Sequence, residues 1–369
     1  MRKLLPIAIL PFVLLACAPE PGPSSLPPAE GPARSDDQYR DRAVTGMHDA
    51  LLVDIQALGL AAQELQKLAP SPPHRGWDPV LDAPAILAMR ETWVRARTAY
   101  EHVEGALAPL FPDLDFSLDA RYDGFMTQLE AQGGDKDLFD DQGVTGLHAV
   151  ERILYSDVTP QRVIDFEHAL PGYVPAAFPA TAQEAAEFKT RLCEKLVTDA
   201  KELEAQWTPA NINVAIAFQG LISLVREQRE KVQKASSNEE ESRYSQRTMA
   251  DLRGNLTGSK MVYALFQPWL TSKSSPSDPA KDGKTIDAQI LQGLAALEGA
   301  YGAVKGDAIP APPATWSAEM PSASDLEAPF GRLYTVVQDA VNPARGGSVV
   351  AQLNDAAGVL GFPEFKAGQ

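Results

Sequence analysis

Cysteine is nearly absent from this 369-residue chain, which has only Cys17 and Cys193. Cys17 falls in a leader-like N-terminus, so Cys193 has no partner for an intrachain disulfide, and stability must come from buried apolar surface. Spaced with Phe188, Leu192 and Leu196, Cys193 reads as a small core residue of a helix. Histidine is scarce too, with five in all. No His-Glu-x-x-His occurs, which argues against the zinc-peptidase helix, where two histidines bind the ion and a glutamate is the base. No Ser/His/Asp set stands out either; His48, His74, His102 and His168 are scattered. Strand alternation is missing, and so is any short-period repeat, which leaves a helical, non-solenoid fold. Positive charge is the last shortage: 33 Lys and Arg stand against 49 Asp and Glu, for a formal charge of −16. That balance disfavours nucleic acid and anionic membrane surfaces as partners, and suits cations.

What is present is a globular composition, 44% hydrophobic and 22% charged, in a length that accommodates two ordinary domains. The N-terminus is the most readable segment. Arg2 and Lys3 precede an apolar run from Leu4 to Leu15, too short for a spanning helix and laid out like a secretory signal. It closes on Leu14-Leu15-Ala16-Cys17, the pattern at which bacterial lipoproteins are cleaved and acylated. Residues 1–16 therefore read as a signal peptide, Cys17 as the lipidation site, and the Pro/Gly/Ser-rich residues 17–36 as a tether. Cleavage removes Arg2 and Lys3 and no acidic residue, which takes −16 to −18. The expected location is the bacterial envelope, on the periplasmic side. No Asp follows Cys17, which favours the outer membrane.

Beyond the tether, helical periodicity dominates. Helices are expected at about 37–68, 84–107, 143–155, 181–207, 209–234, 238–267, 285–304, 323–341 and 346–360, with an irregular acidic stretch at 111–140 that contains a short helical piece around 125–129. Ile86, Met89, Trp93, Ala96, Tyr100 and Val103 make the clearest apolar stripe. The fold class is all-α, two packed up-down helical bundles, with an N-terminal bundle over 37–207 and a C-terminal one over 208–369.

Four patterns are able to carry chemistry. In Gly146-Leu147-His148-Ala149-Val150-Glu151, His148 and Glu151 are three apart and share a helix face. Imidazole plus carboxylate suits iron, zinc, manganese or copper, although a structural hydrogen bond is the commoner meaning of such a pair. Arg97, Glu101 and Glu104 lie on one stripe beside the apolar one, where carboxylates near a core need a counter-charge. Asp113, Asp115, Asp119 and Asp123 are candidate oxygen donors without the spacing of an EF-hand, so an acidic loop is the default. Glu239-Glu240-Glu241-Ser242-Arg243-Tyr244-Ser245, with Asp251 after it, reads by itself as a solvated helix start.

Taken in this order, the four patterns resemble the imelysin family, most closely its EfeM/EfeO-type branch of periplasmic iron-uptake components. Arg97-x-x-Tyr100-Glu101-x-x-Glu104, Asp113-Leu114-Asp115 with Asp119-Ala120-Arg121, Gly146-x-His148-x-x-Glu151, and Glu240-Glu241-x-Arg243-Tyr244-Ser245 carry the likeness. It covers roughly residues 40–270. Gln246-Arg247-Thr248 departs from the His-Thr-Asp expected after Tyr244-Ser245. The resemblance implies a helical metal-binding protein with His148 and Glu151 as ligands, and Glu101 or Glu104 completing the set from a facing helix. Arg97, Asp119 and Arg121 would orient those carboxylates. The implied cargo is a metal ion, iron first, with zinc or copper as alternatives. The implied partner is an inner-membrane permease, with membrane contact through the lipid anchor alone. Two other readings stay open: a metallopeptidase of the imelysin type, and a non-catalytic binder of a glycan or surface partner.

Overall fold

Apolar residues at three- and four-residue spacing become long helices wherever no proline or left-handed residue interrupts them. The computed structural model describes residues 34–129 and 134–363; Cys17, the leader and nearly all of the tether lie outside the described residues. The chain runs α1 (Asp36–Leu68), α2 (Ala83–Leu110), α3 (Pro112–Asp119), α4 (Tyr122–Leu129), α5 (Gly146–Leu154) and α6 (Gln161–His168). It continues with α7 (Ala182–Glu187), α8 (Cys193–Gln206), α9 (Val214–Lys234), α10 (Thr248–Thr271) and α11 (Gly283–Ala303). It ends with α12 (Ala323–Glu327), α13 (Pro329–Val341) and α14 (Val349–Val359). No strand occurs among the described residues, and no described helix is long and apolar enough to cross a membrane.

Capping chemistry marks the starts. Thr181 and Glu184 form the capping box expected for α7, and Asn213 and Asp282 accept the first amides of α9 and α11. A π-turn over Phe188–Leu192 joins α7 to α8, so 182–206 behaves as one interrupted helix. Packing is organised around α9 and α10. On one side they meet α1 and α2, with α8 completing that group; on the other they meet α11, α13 and α14. Met47, Leu51, Ile55, Trp93, Phe218, Leu252 and Phe266 are all buried in the resulting core.

Four local expectations need correction. The acidic stretch after Phe111 is not a loop, because Pro112 starts α3 and Asp113 and Asp115 sit in its first turn, where the helix dipole favours them. A second short helix, α6, begins after Pro160 inside the proline-punctuated region. The helix expected from 238 starts only at Thr248, because Asn238 (φ 66°) and Gln246 (φ 57°) are left-handed and bracket a run of turns. The helix expected over 323–341 is broken at Ala328, whose extended backbone precedes Pro329.

Two glycines set how closely the layers approach the region where α2, α3, α5 and α10 meet. A Cβ at Gly258 of α10 would sit 2.1 Å from the carbonyl oxygen of His102 on α2. Gly146 opens α5 with φ +85°, and a Cβ there would lie 2.5 Å from the Ser117 carbonyl oxygen of α3. Gly146→Ala therefore combines a left-handed backbone with a backbone clash. It is expected to cost about 2–3 kcal/mol, read by urea unfolding. Unfolding within about 0.5 kcal/mol of wild type would mean that α5 does not depend on this approach.

Candidate metal centre

The apolar residues of α5 commit it to the interior, since all nine of its residues are buried. The three-residue spacing then brings His148 and Glu151 together, with His148 Nδ1 2.8 Å from Glu151 Oε2. Glu151 has a second engagement: its Oε1 accepts from the Ser245 amide at 2.8 Å and the Ser245 hydroxyl at 2.6 Å. Both Glu151 oxygens are thus spent on holding protein groups. The other ring nitrogen, His148 Nε2, is buried, has no hydrogen-bond partner, and lies 3.5 Å from Asp119 Oδ1. With Nδ1 carrying the proton toward Glu151, the Nε2 lone pair is available to a cation.

On α2, Arg97, Glu101 and Glu104 are buried, as are Trp93 and Tyr100 beside them. The Arg97 guanidinium, 2% exposed, pairs with Glu101 one turn on and with Asp119 at the end of α3. It also lies 3.1 Å from Glu241 and 3.6 Å from Asp251. Asp115, one turn before Asp119, accepts from the Tyr100 hydroxyl. Glu104 faces a different cation, the Lys231 ammonium of α9 at 3.1 Å, and accepts from Asn255 Nδ2 at 2.6 Å. Arg121 forms no carboxylate pair among the described residues; it donates to the Glu239 carbonyl at 3.0 Å.

The turns between α9 and α10 supply what the sequence reading left out of the site. Glu240, Glu241, Ser242, Arg243 and Tyr244 are buried, not a solvated helix start. Tyr244 donates its hydroxyl to Glu167 on α6, and Arg152 of α5 donates to that carboxylate at 2.9 Å, which clamps the turns to α5. Glu241 then reaches the α3–α5 contact and also meets Lys231 at 2.9 Å. Two groups of donor atoms result, each within 4.8 Å of one another: Asp119, His148 and Glu241, and Glu101, Glu241 and Asp251. Glu241, Asp251 and Lys231 were not among the expected site residues. A signal existed: between Ser236 and Arg247 the sequence has Tyr244 as its one large apolar residue, too little to seat a helix on a core.

The imelysin (peptidase M75) family model matches residues 44–315, most of the chain. The chain belongs to the imelysin family. It is 28% identical over 184 residues to an Efem/EfeO family lipoprotein of Staphylococcus haemolyticus, covering 50% of each protein. It is 25% identical over 218 residues to the iron uptake system component EfeM of Pseudomonas syringae, covering 58% of this chain and 62% of that one. The chain thus spans about half to three-fifths of the length of the curated relatives it matches. An imelysin-like protein of Psychrobacter arcticum shares the fold at a TM-score of 0.57 and 13% identity, over 90% of this chain and 99% of that one.

Imelysin-family membership does not itself say how so many carboxylates share one interior; the electrostatics do. Burial pushes Glu101 and Asp119 well above the usual carboxylate range, Asp251 up to about 6 and Glu151 up to about 8. Burial works against Glu241 as well, but Lys231 and Arg97 outweigh it and hold that carboxyl below its usual range. Burial, with Arg97 next, drives His148 far below its ordinary value, so the imidazole is neutral. Burial therefore favours the protonated forms of Glu101 and Asp119, while Lys231 and Arg97 favour the ionised form of Glu241. Arg97→Met removes the guanidinium that four carboxylates share, and is expected to cost about 3–5 kcal/mol at neutral pH. The freed carboxyls titrate still higher, so the folded state binds more protons than the unfolded one. The deficit is therefore smallest at mild acid and grows as pH rises above the ordinary carboxylate range. Urea unfolding at about pH 5 and pH 8 checks this; a deficit independent of pH would show that Arg97 acts by packing.

Proposed function

We propose that this chain is a lipid-anchored metal-binding protein of a bacterial envelope, which captures iron or another divalent cation for an uptake system and catalyses nothing. The observation that carries the reading is the convergence of Asp119, His148 and Glu241, with His148 Nε2 buried and unpartnered beside two carboxylates. One imidazole and two carboxylates suit iron, zinc or manganese. Glu151 fixes the imidazole, and Arg97 holds Asp119 and Glu241 in place. In this reading Glu101 and Asp251 stand by as further oxygen donors around Glu241, while Glu104 is kept for Lys231. The iron-uptake and lipoprotein names of the relatives fit this reading, in which Cys17 carries the anchor and an inner-membrane permease receives the ion. The division into bundles at 37–207 and 208–369 belongs to the same proposal, with the centre drawing residues from both.

The peptidase description of the family favours a second reading. A metallopeptidase needs a free carboxylate as base beside the ion, and Glu151, the carboxylate next to His148, is fully engaged by His148 and Ser245. Peptide turnover by wild type that is lost in Glu151→Gln would restore it.

Metal titration tests the main reading. His148→Ala and Glu241→Gln are each expected to weaken binding about tenfold or more, with helicity retained. Affinity is expected to rise from about pH 5 to pH 8, because Asp119, Glu101 and Asp251 must give up protons to a cation. Equal binding by wild type and both variants would assign the ion elsewhere. For the anchor, Cys17→Ser is expected to move the protein from the membrane fraction to the soluble one; unchanged membrane retention would remove Cys17 from the account.

A further inference from the structure

Beside the proposed ligands lies a solvent-open cavity of about 650 Å³, with Asp119 and Glu241 on its wall. Its size is that of a small-molecule site. Three arginines line it, Arg121 from the α3–α4 junction and Arg226 and Arg229 from α9, together with Lys234. Glu230 of α9 is held by Lys234 at 2.6 Å, which leaves Glu227 as the other acidic residue that α9 brings to this wall. Arg229 is exposed and has no hydrogen bond or ion pair among the described residues. In a chain with a formal charge of −16, a lining with five basic residues against five acidic ones is locally balanced, and its arginines are gathered on one side. Guanidinium groups present paired N–H donors that match the oxygens of a carboxylate or phosphate.

Chemistry supplies the link between this wall and the metal centre. Asp119, His148 and Glu241 offer three donor atoms, and a metal ion held by three protein ligands keeps positions for water or an outside ligand. Two of the three donors border the cavity, so those positions open toward it. We propose that the cavity is a co-ligand site: a small oxyanion, whether carboxylate, phosphate or carbonate, binds the captured cation through an oxygen while Arg226 and Arg229 hold its far side. This rests on the metal-binding reading and extends it, because the cargo then becomes a metal–anion complex. The anion also offsets positive charge that a hard cation brings beside Arg97 and Lys231.

The experiment loads the full chain with one equivalent of zinc(II) or, under argon, iron(II). Citrate, phosphate and bicarbonate are then titrated separately into loaded wild type, metal-free wild type and loaded Arg226→Gln/Arg229→Gln. At least one anion is expected to bind loaded wild type about tenfold more tightly than either comparison, with the metal retained after ultrafiltration. The three anions tell the carboxylate, phosphate and carbonate cases apart. Equal affinity in wild type and the double variant, or anions that strip the metal into the filtrate, would overturn the co-ligand site and leave metal binding standing. A chain that takes up no metal at the loading step fails the functional reading itself, and the co-ligand site with it.

Discussion

The buried guanidinium of Arg97 is the constraint around which the interior is arranged. An isolated charge of that size in a helical core costs many kcal/mol, and the fold meets the cost with four carboxylates drawn from separate elements. Glu101 comes from the same helix, Asp119 from the end of α3, Glu241 from the turns before α10, and Asp251 from α10 itself. Each partner fixes the position of its element. The end of α3 is held against α2, which in turn gives α5 a surface to meet through Gly146. The turns are drawn inward far enough to bury Glu240 and Glu241. Lys231 does the same a turn further along α2, where Glu104, Glu241 and Asn255 surround its ammonium.

Much of this was legible in the sequence, and the limit of legibility has a physical basis. Periodicity reports a helix whose apolar stripe faces a core, so α1, α2, α8, α9 and α11 were readable from spacing alone. Short helices need only one cap or proline and a few contacts, which is why α3 and α6 were missed. Left-handed residues end helices without leaving a pattern, as Asn238 and Gln246 do before α10. The centre divides in the same way. His148 with Glu151 and Arg97 with Glu101 are helix neighbours, so spacing places each pair on one face. Glu241 and Asp251 reach the same point only through tertiary packing, and Lys231 sits in an ordinary amphipathic stretch of α9. A buried glutamate in a charged run looks like a solvated one until the counter-charge more than a hundred residues away is in view.

The division of labour around His148 also depends on geometry that no spacing contains. Expected to share the ion with His148, Glu151 has both oxygens committed, one to the imidazole and one to Ser245. Asp119, expected to orient other residues, stands instead within reach of the free ring nitrogen. A carboxylate that fixes the imidazole by its Nδ1–H is a common feature of histidine metal sites, since it sets the tautomer and aims the lone pair. In the proposed reading, the motif therefore encodes an aimed histidine, and the oxygen donors would come from elsewhere in the fold.

If the proposed function holds, that arrangement suits release of a bound cation. In the proposed reading, a cation approaching His148 would meet carboxylates that burial biases toward the protonated form and that already pair with Arg97 and Lys231. It would have to displace protons and share Glu241 with two fixed cations, and both requirements would hold affinity below what the same donors reach alone. A structural zinc site has no such competitors and keeps its ion for the life of the fold. Here the competing charges belong to the core and cannot leave. The same guanidinium that lets the carboxylates gather would also limit how tightly they could hold an ion, so on the proposed reading stability and release depend on one side chain.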